Sequence, residues 1–203
     1  MSSHRFLRST LVLALLAAAG CELMQPAGRS NRSRRDTSPE PTVPASRPRA
    51  GGGPSLSLSN ASGGPGQRVD VSVTLRTGGA SVAGTQNDLV FDPSQIAIQS
   101  ATGGTPDCSA NRALRKNGTA FSFLPKGCKP TLGAGCTTVR ALVLSLNNVD
   151  PIPDGATLYT CKLQISPQAK PGAQRLSMTR EGFSDPQGKE ISGSATNGSV
   201  RVK

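Results

Sequence analysis

The sequence lacks the residues from which most active sites are built. It contains no Trp, one Tyr and one His, and that His4 lies in the first ten residues. Without a His in the rest of the chain, Ser-His-Asp and Cys-His nucleophilic catalysis is excluded. Paired carboxylates of the glycosidase type are also disfavoured, because Asp92, Asp150 and Asp185 each precede Pro and Asp154 precedes Gly, which are ordinary turn positions. The sequence therefore predicts a protein that is not an enzyme.

Nucleic-acid binding is disfavoured as well, although the formal net charge is +11. Residues 55–203 carry 15 Lys and Arg against 9 Asp and Glu, and these charges are spaced singly along the chain. Proteins that bind nucleic acids usually cluster their cations and interleave aromatic residues for base stacking. The charge is compatible at most with attraction to acidic polysaccharides or lipid head groups.

No apolar run is long enough to cross a bilayer. LVLALLAAAG, at residues 11–20, follows a basic stretch and ends in small residues, which predicts a secretory signal peptide over residues 1–20. Cys21 follows, and LLAAAGC resembles the lipobox of bacterial lipoproteins. The resemblance implies a lipid on Cys21 that anchors the protein in the bacterial cell envelope, and Glu22 after it favours the outer membrane. The alternative is a plainly secreted protein.

The segment after Cys21 has the composition of a tether. In residues 22–54, Pro, Gly, Ser and Arg account for 20 of 33 residues, and none is aromatic. Such a segment buries too little apolar surface to offset the entropy lost on ordering. We expect residues 21–54 to be a disordered linker between the lipid and a folded domain over residues 55–203.

Four cysteines remain in the predicted domain, an even number in an exported protein, so two disulfides are expected. Of the three connectivities we favour Cys128–Cys136, which bracket a Gly-rich loop, and Cys108–Cys161. No C-x-x-C pair suggests zinc, and nothing in the sequence indicates a cofactor.

Alternation of apolar and polar residues dominates the chain after Pro54. RVDVSVTLR (68–76) places four apolar residues on one face, TAFSFL (119–124) repeats the pattern, and ATLYTCKLQIS (156–166) directs Tyr159 and Cys161 towards the core. VRALVLSLN (139–147) is more continuously apolar and is expected to be central. Turn clusters separate these runs, and only SANRALRKN (109–117) could form even a short helix. About nine short strands predict an all-β sandwich of two sheets.

The segment NNVDPIPDG (147–155) is a candidate calcium site. Asn147, Asn148, Asp150 and Asp154 bring four oxygen-bearing side chains into eight residues. A Pro-rich turn explains the same residues, and we favour it.

The order of these segments resembles the cohesin domain. SLSLSNASGGPGQRVDVSVTL (55–75) is similar to its opening strands, and VAGTQNDLVFDPSQIAI (82–98) to its next strand with an aromatic-Asp-Pro step. RALVLSLNNVDPIPDGATLYTCKLQISPQAKPG (140–172) and GSVRV (198–202) resemble its later hairpin and its last strand. The resemblance implies a nine-stranded jelly-roll sandwich over 55–203, with residues 101–137 least alike.

The resemblance also implies a function. Cohesins are non-catalytic modules that dock a protein partner, the dockerin, through one sheet face, and some are linked to polysaccharide degradation. The partner here would be dockerin-like or another protein. The alternative is a carbohydrate-binding module of related fold, whose ligand would be a polysaccharide, although Trp is absent for stacking on sugar rings.

The polar run Thr85-Gln86-Asn87-Asp88 interrupts an otherwise apolar strand. By alternation, Leu89 and Phe91 point inward, so Thr85 and Asn87 are expected on the same inward side of the strand. We expect Asn87 to be a buried amide that hydrogen-bonds backbone near a strand distortion. Gln86 and Asp88 are expected on the exposed face, where the cohesin resemblance makes them candidates for partner binding.

Overall fold

A computed structural model describes residues 52–133 and 135–203, which form two β-sheets packed face to face. The predicted signal peptide, Cys21 and all but the last three residues of the predicted tether lie outside the described residues. Within the described residues, no helix is long and apolar enough to cross a membrane.

The first sheet is built from six strands in the order β12-β1-β3-β9-β5, with β6 also paired to β9. Its strands are β1 (Ser55–Leu58), β3 (Arg68–Arg76), β5 (Ile96–Ile98), β6 (Cys108–Ala110), β9 (Thr157–Ile165) and β12 (Ser194–Thr196).

The second sheet has seven strands in the order β2-β13-β10-β4-β8-β7, with β11 paired to β10. Its strands are β2 (Ala61–Gly63), β4 (Gly84–Val90), β7 (Ala120–Leu124), β8 (Thr138–Val143), β10 (Gly172–Ser184), β11 (Glu190–Ile191) and β13 (Gly198–Val202). The chain changes sheet between β3 and β4 and again between β9 and β10, as in a jelly roll. All pairs are antiparallel except β1–β12 and β2–β13.

The predicted all-β sandwich is confirmed. Alternate residues of β3 and β9 fill the space between the sheets, and Tyr159 and Cys161 are buried there as expected. The core is aliphatic, with the Phe121 ring packed edge-on against Tyr159 at a centroid separation of 5.3 Å. The one helical turn of the described residues is a 3₁₀ turn at Arg112–Leu114, inside the segment that the sequence indicated.

Both favoured disulfides are present. Cys108 and Cys161 lie directly opposite each other on β6 and β9, with their Cα atoms 4.0 Å apart. Cys128 and Cys136 close the loop between β7 and β8, with their Cα atoms 5.1 Å apart. The first bridge fixes the short edge strand β6 to the sheet, and the second closes a loop that has little secondary structure of its own.

Three features of the structure go beyond what the sequence indicates. β10 is the longest strand, yet its sequence gives little strand signal, since only Leu176, Met178 and Phe183 are buried along its 13 residues. β8 lies between β4 and β7, as expected of a central strand, but it ends at Val143 and its residues alternate between the core and the surface. The expected tether is ordered at its end, since Pro54 is buried and its carbonyl accepts a hydrogen bond from the Ser194 N–H at 3.0 Å.

Candidate functional site

The surface of interest is the side of the second sheet that points away from the core. We define the outer face as this side of the four adjoining strands β10, β4, β8 and β7. Register fixes which residues share it, because directly paired residues point to the same side. Asp88 pairs with Arg140 and Thr179, and Arg140 pairs with Ser122, so these four residues form one row across the outer face.

The polar run on β4 divides by alternation as expected. Thr85, Asn87 and Leu89 are buried on the core side, while Gln86 lies half-exposed on the outer face. The hydroxyl oxygen of Thr85 has no hydrogen-bond partner within the described residues. The assignment of Asn87 and Gln86 to opposite sides of the sheet is therefore confirmed.

Asp88 lies on the outer face, but the expectation that it is exposed is wrong. Its side chain is only 6% exposed, because Arg140 and Arg180 cover it from the neighbouring strands. Arg140 donates from Nε to Oδ1 at 2.7 Å and from a terminal nitrogen to Oδ2 at 2.8 Å, which is a bidentate pair. The hydrogen bond to Asp88 raises the pKa of the Arg140 guanidinium above its usual value. Asp88 is thus a structural anchor for Arg140.

Arg180 reaches Asp88 from a distortion in β10. The register shifts between Thr179 and Gly182, so that Arg180 and Glu181 form a bulge beside β4. Arg180 adopts a left-handed backbone with φ of 53°, an uncommon conformation for a residue other than glycine. Its Nε lies 3.8 Å from Asp88 Oδ2, and its side chain is 73% exposed.

Asn87 lies next to this distortion, as predicted, but its partners are not backbone groups. Its Nδ2 donates to the Tyr159 hydroxyl at 2.8 Å, and that hydroxyl donates to Asn87 Oδ1 at 3.0 Å. Nδ2 also lies 3.7 Å from the sulfur of Met178. Burial raises the pKa of Tyr159 above its usual range. The pair joins the two sheets through a polar contact in an otherwise aliphatic core.

The outer face ends in an apolar depression at the start of β4. Two adjoining cavities of about 270 Å³ and 250 Å³ share Gly84, Leu144, Ser184 and Gly188. We call this depression the leucine groove and define it by Gly84, Leu142, Leu144, Leu146, Val149 and Gly182. Leu146 is 88% exposed and Val149 is 49% exposed, which is unusual for large apolar residues.

The leucines reach this surface because β8 alternates. Val139, Ala141 and Val143 fill the core, so Leu142 points outward. Gly182 leaves the middle of the groove open, since a Cβ added there would meet no atom nearer than 4.0 Å, the Cβ of Gln86. The apolar run that suggested a central strand thus supplies both a core side and a surface groove.

The loop that carries Leu146 and Val149 is held by Lys116. The buried Lys116 ammonium donates to the backbone carbonyls of Asn148 at 2.9 Å and Asp150 at 2.7 Å. Burial lowers the pKa of Lys116. A charge-assisted pair of hydrogen bonds therefore fixes the apolar rim of the groove.

Of the four candidate calcium ligands, Asn148 stabilises its own turn and Asp154 binds the backbone after β3. Asn148 Oδ1 accepts from the Asp150 N–H at 3.0 Å, and Asp154 Oδ1 accepts from the Thr77 N–H at 2.7 Å. The bond from the Thr77 N–H lowers the pKa of Asp154. In the two described stretches, no three His, Cys, Asp or Glu side chains are grouped so that they could hold a metal ion.

Sequence reasoning identified Gln86 and Asp88 but missed the groups beside them. The alternation of β8 indicates that Arg140 points outward, but only the strand order places Arg140 beside Asp88. No pattern in the sequence indicates the position of Arg180, because hydrophobic periodicity does not reveal β-bulges. The resulting surface has arginine donors and an apolar groove, a combination that suits recognition of a ligand.

Comparison with known proteins identifies the fold. No family model matches the chain, and no curated protein matches it. Solved cohesin structures do match. CaCohA2 from Clostridium acetobutylicum is 19% identical, with a TM-score of 0.56, over 75% of this chain and 92% of that one. CaCohA2 in its complex with CaDoc0917 matches with 22% identity and a TM-score of 0.59, over 74% and 99% of the two chains.

Cohesins from other organisms match as well. The seventh ScaB type I cohesin from Pseudobacteroides cellulosolvens is 15% identical, with a TM-score of 0.57, over 74% of this chain and 92% of that one. A non-cellulosomal cohesin from the archaeon Archaeoglobus fulgidus is 14% identical, with a TM-score of 0.53, over 74% and 91%. At these identities the likeness concerns the fold.

Proposed function

We propose that this chain, whose described domain has the cohesin fold, is a non-catalytic module that docks a protein partner through the outer face. The observation that carries the proposal is the leucine groove, an apolar depression at the end of one sheet face, with two large exposed residues in the loop beside it. Exposed apolar patches rimmed by polar groups are typical of protein interaction sites. Solved cohesins that share the fold bind dockerins in their complexes, which supports the same use here.

The size of the outer face is adequate for such docking. Stable interfaces bury about 800 Å² per partner. Four strands spaced about 4.8 Å apart and about six residues long offer roughly 400 Å² of flat area, and accessible surface exceeds flat area because side chains project from it. The loop after β8 and its exposed Leu146 extend the contact area at one end.

We further propose that the module is displayed on the bacterial envelope. A lipid on Cys21 would hold it at the outer membrane, and the Pro- and Arg-rich stretch up to residue 51 would act as the spacer. The full-length protein should incorporate labelled palmitate, and replacing Cys21 by Ser should abolish this incorporation. Secretion of unlabelled protein would overturn the anchor while leaving the docking proposal intact.

Site-specific crosslinking tests the docking face. A photoreactive amino acid at Gln86, on the outer face, is compared with one at Lys162, which is exposed on β9 of the first sheet. After exposure to an envelope extract, Gln86 should give a discrete protein adduct that Lys162 does not give. Equal adducts from both positions, or none from Gln86, would contradict the proposal.

A carbohydrate-binding role is the competing outcome of the same experiment. A panel of insoluble and acidic polysaccharides is incubated with the wild-type chain and with a variant in which Gly182→Val fills the groove. Saturable sugar binding that the groove variant loses, without any protein adduct at Gln86, would replace protein docking by glycan binding.

A further inference from the structure

Arg180 has hydrogen-bonding capacity that the described residues do not use. Both oxygens of Asp88 are already occupied by Arg140, and Arg180 Nε, at 3.8 Å from Oδ2, is beyond hydrogen-bond distance. A guanidinium carries five N–H donors, and within the described residues the Arg180 side chain forms an ion pair with Asp88 but no hydrogen bond. Its 73% exposed side chain therefore presents a cation with open donors on the outer face, where β10 adjoins β4.

The bulge places this cation in a defined position. The left-handed backbone at Arg180 and the register shift beside Asn87 take the residue out of the regular ladder. Its proximity to Asp88 then orients it towards β4. A bulged strand that re-aims a side chain on an exposed sheet face is a recurrent feature of binding sites.

Two further arginines lie on the same side of this sheet, farther along it from Arg180. Arg175 and Arg201 point outward from β10 and β13, since their neighbours Leu176 and Val200 are buried. No carboxylate lies within 4 Å of either in the described part of the chain. The exposed carboxylates of this sheet are Glu181, beside Arg180, and Glu190, which lines the groove. Because Arg140 neutralises Asp88, the central part of the face favours an anionic ligand.

The apolar groove lies at a fixed distance from this cation. Leu142 is two residues from Arg140 along β8 and Gly84 is four residues from Asp88 along β4, so the groove extends from about 7 Å to about 13 Å from the ion pair at roughly 3.3 Å per residue. A ligand that uses both features must therefore carry an anionic group and an apolar group on this spacing. Peptide segments with acidic and large aliphatic or aromatic side chains have this chemistry.

We propose that the outer face selects a protein partner that places a carboxylate against Arg180 and a large apolar side chain in the leucine groove. The proposal rests on the proposed docking function and adds the chemistry of the partner. An acidic glycan would satisfy Arg180 but would leave the groove without an apolar occupant. No aromatic ring of the described residues lies open on this face for sugar stacking: Tyr159, Phe91 and Phe183 are buried, and Phe121 and Phe123 of β7 pack against the core on the other side of the sheet.

The test uses a peptide library of known composition as the probe. The full chain without its signal, carrying Cys21→Ser so that it stays in solution, is screened against random phage-displayed 12-residue peptides. The same screen is run on Arg180→Glu and on Arg68→Glu, which makes the same charge change on β3 of the opposite sheet. Peptides enriched on wild type should contain Asp or Glu together with Leu, Ile, Met or Phe, and Arg180→Glu should lose the preference for acids.

Affinities of the best wild-type peptide then separate the two contacts. Binding should weaken at least about tenfold on Arg180→Glu, less than about twofold on Arg68→Glu, and at least about tenfold on Gly182→Val. Gly64→Val is the control for the glycine change, because a Cβ at Gly64 meets only the Gln67 side chain at 3.7 Å. Arg180→Asn, which removes the charge and tolerates a left-handed backbone, replaces Arg180→Glu if the latter melts early.

The outcomes distinguish this proposal from the docking function on which it rests. Enriched peptides without acids, or an acid preference that survives Arg180→Glu and Arg180→Asn, overturn the partner chemistry alone. Saturable binding of polygalacturonate that requires Arg180 while no peptide is enriched overturns both in favour of an acidic glycan. Absence of both peptide enrichment and polygalacturonate binding also overturns both.

Discussion

The side chains of Asn87 and Tyr159 satisfy each other across the interior of the sandwich. Asn87 projects from β4 of the second sheet and Tyr159 from β9 of the first, and two hydrogen bonds of 2.8 and 3.0 Å join them. Each is at most 1% exposed. An unsatisfied buried polar group costs free energy. Each residue therefore reduces the free-energy cost of burying the other in an aliphatic core.

We predict that breaking this pair from one side costs more than removing it from both. Asn87→Leu and Tyr159→Phe should each lower the free energy of unfolding by about 1–3 kcal/mol, because each leaves a buried polar partner unsatisfied. The double variant should cost less than the sum of the two. A double-mutant cycle from urea unfolding measures the coupling, and additive losses would contradict the pairing.

The pH dependence of stability should reflect Tyr159. Its pKa is raised by burial, so the folded state keeps the phenol proton at pH values where the unfolded chain, with a Tyr pKa of about 10, releases it. The contribution is therefore fully present below about pH 10 and declines as the pH rises above that value. Urea unfolding between pH 8 and 11 should show a steeper decline for wild type than for Tyr159→Phe, whereas parallel curves would contradict the assignment.

Asp88 should contribute to stability as well as to the binding face. Asp88→Asn should lower the free energy of unfolding by about 1–2 kcal/mol, a modest loss because Arg140 is 36% exposed and can be solvated by water. Asp70→Asn, on an exposed position of β3, is the matched control and should be nearly neutral. Thermal unfolding of the two variants measures the difference, and equal melting temperatures would show that the buried ion pair is dispensable.

The two disulfides should differ in their contributions. In the chain-entropy model, the bridge spanning 53 residues between Cys108 and Cys161 stabilises by about 4 kcal/mol, and the one spanning 8 between Cys128 and Cys136 by about 2–3 kcal/mol. Replacing each pair by Ala should lower the melting temperature more for the first pair. Non-reducing peptide mapping checks the connectivity, and free thiols at Cys128 and Cys136 would contradict the local bridge.

Side-chain alternation made much of the fold predictable from the sequence. In strands such as β3 and β9, apolar and polar residues alternate with period two, so their buried faces follow from the order of residues alone. β10 was missed because its alternation is short: its first four residues carry no large apolar side chain, and the bulge at Arg180 shifts the period between Met178 and Phe183. A strand whose alternation is broken by an insertion leaves little hydrophobic signal.

For the candidate site, the sequence placed Asn87 and Asp88 on opposite sides of β4 but could not say what each meets. Asn87 meets Tyr159, 72 residues away, and Asp88 meets Arg140, 52 residues away. Those contacts depend on which strands become neighbours and in what register. Local pattern specifies neither, because register is decided by burial of the whole sheet face.

By itself, then, the sequence determined the class of fold and the side of β4 to which each polar residue points, because these follow from short-range alternation, and it favoured the two cysteine pairs without excluding the other connectivities. Only the tertiary structure decided that Asp88 is covered, that Arg180 is left with open donors and that Leu142, Leu144 and Leu146 form a surface groove. These properties arise where strands distant in the chain are brought side by side. The VAGTQNDLVFDPSQIAI segment thus supplies a core contact at Asn87 and the ion-pair anchor of the outer face at Asp88.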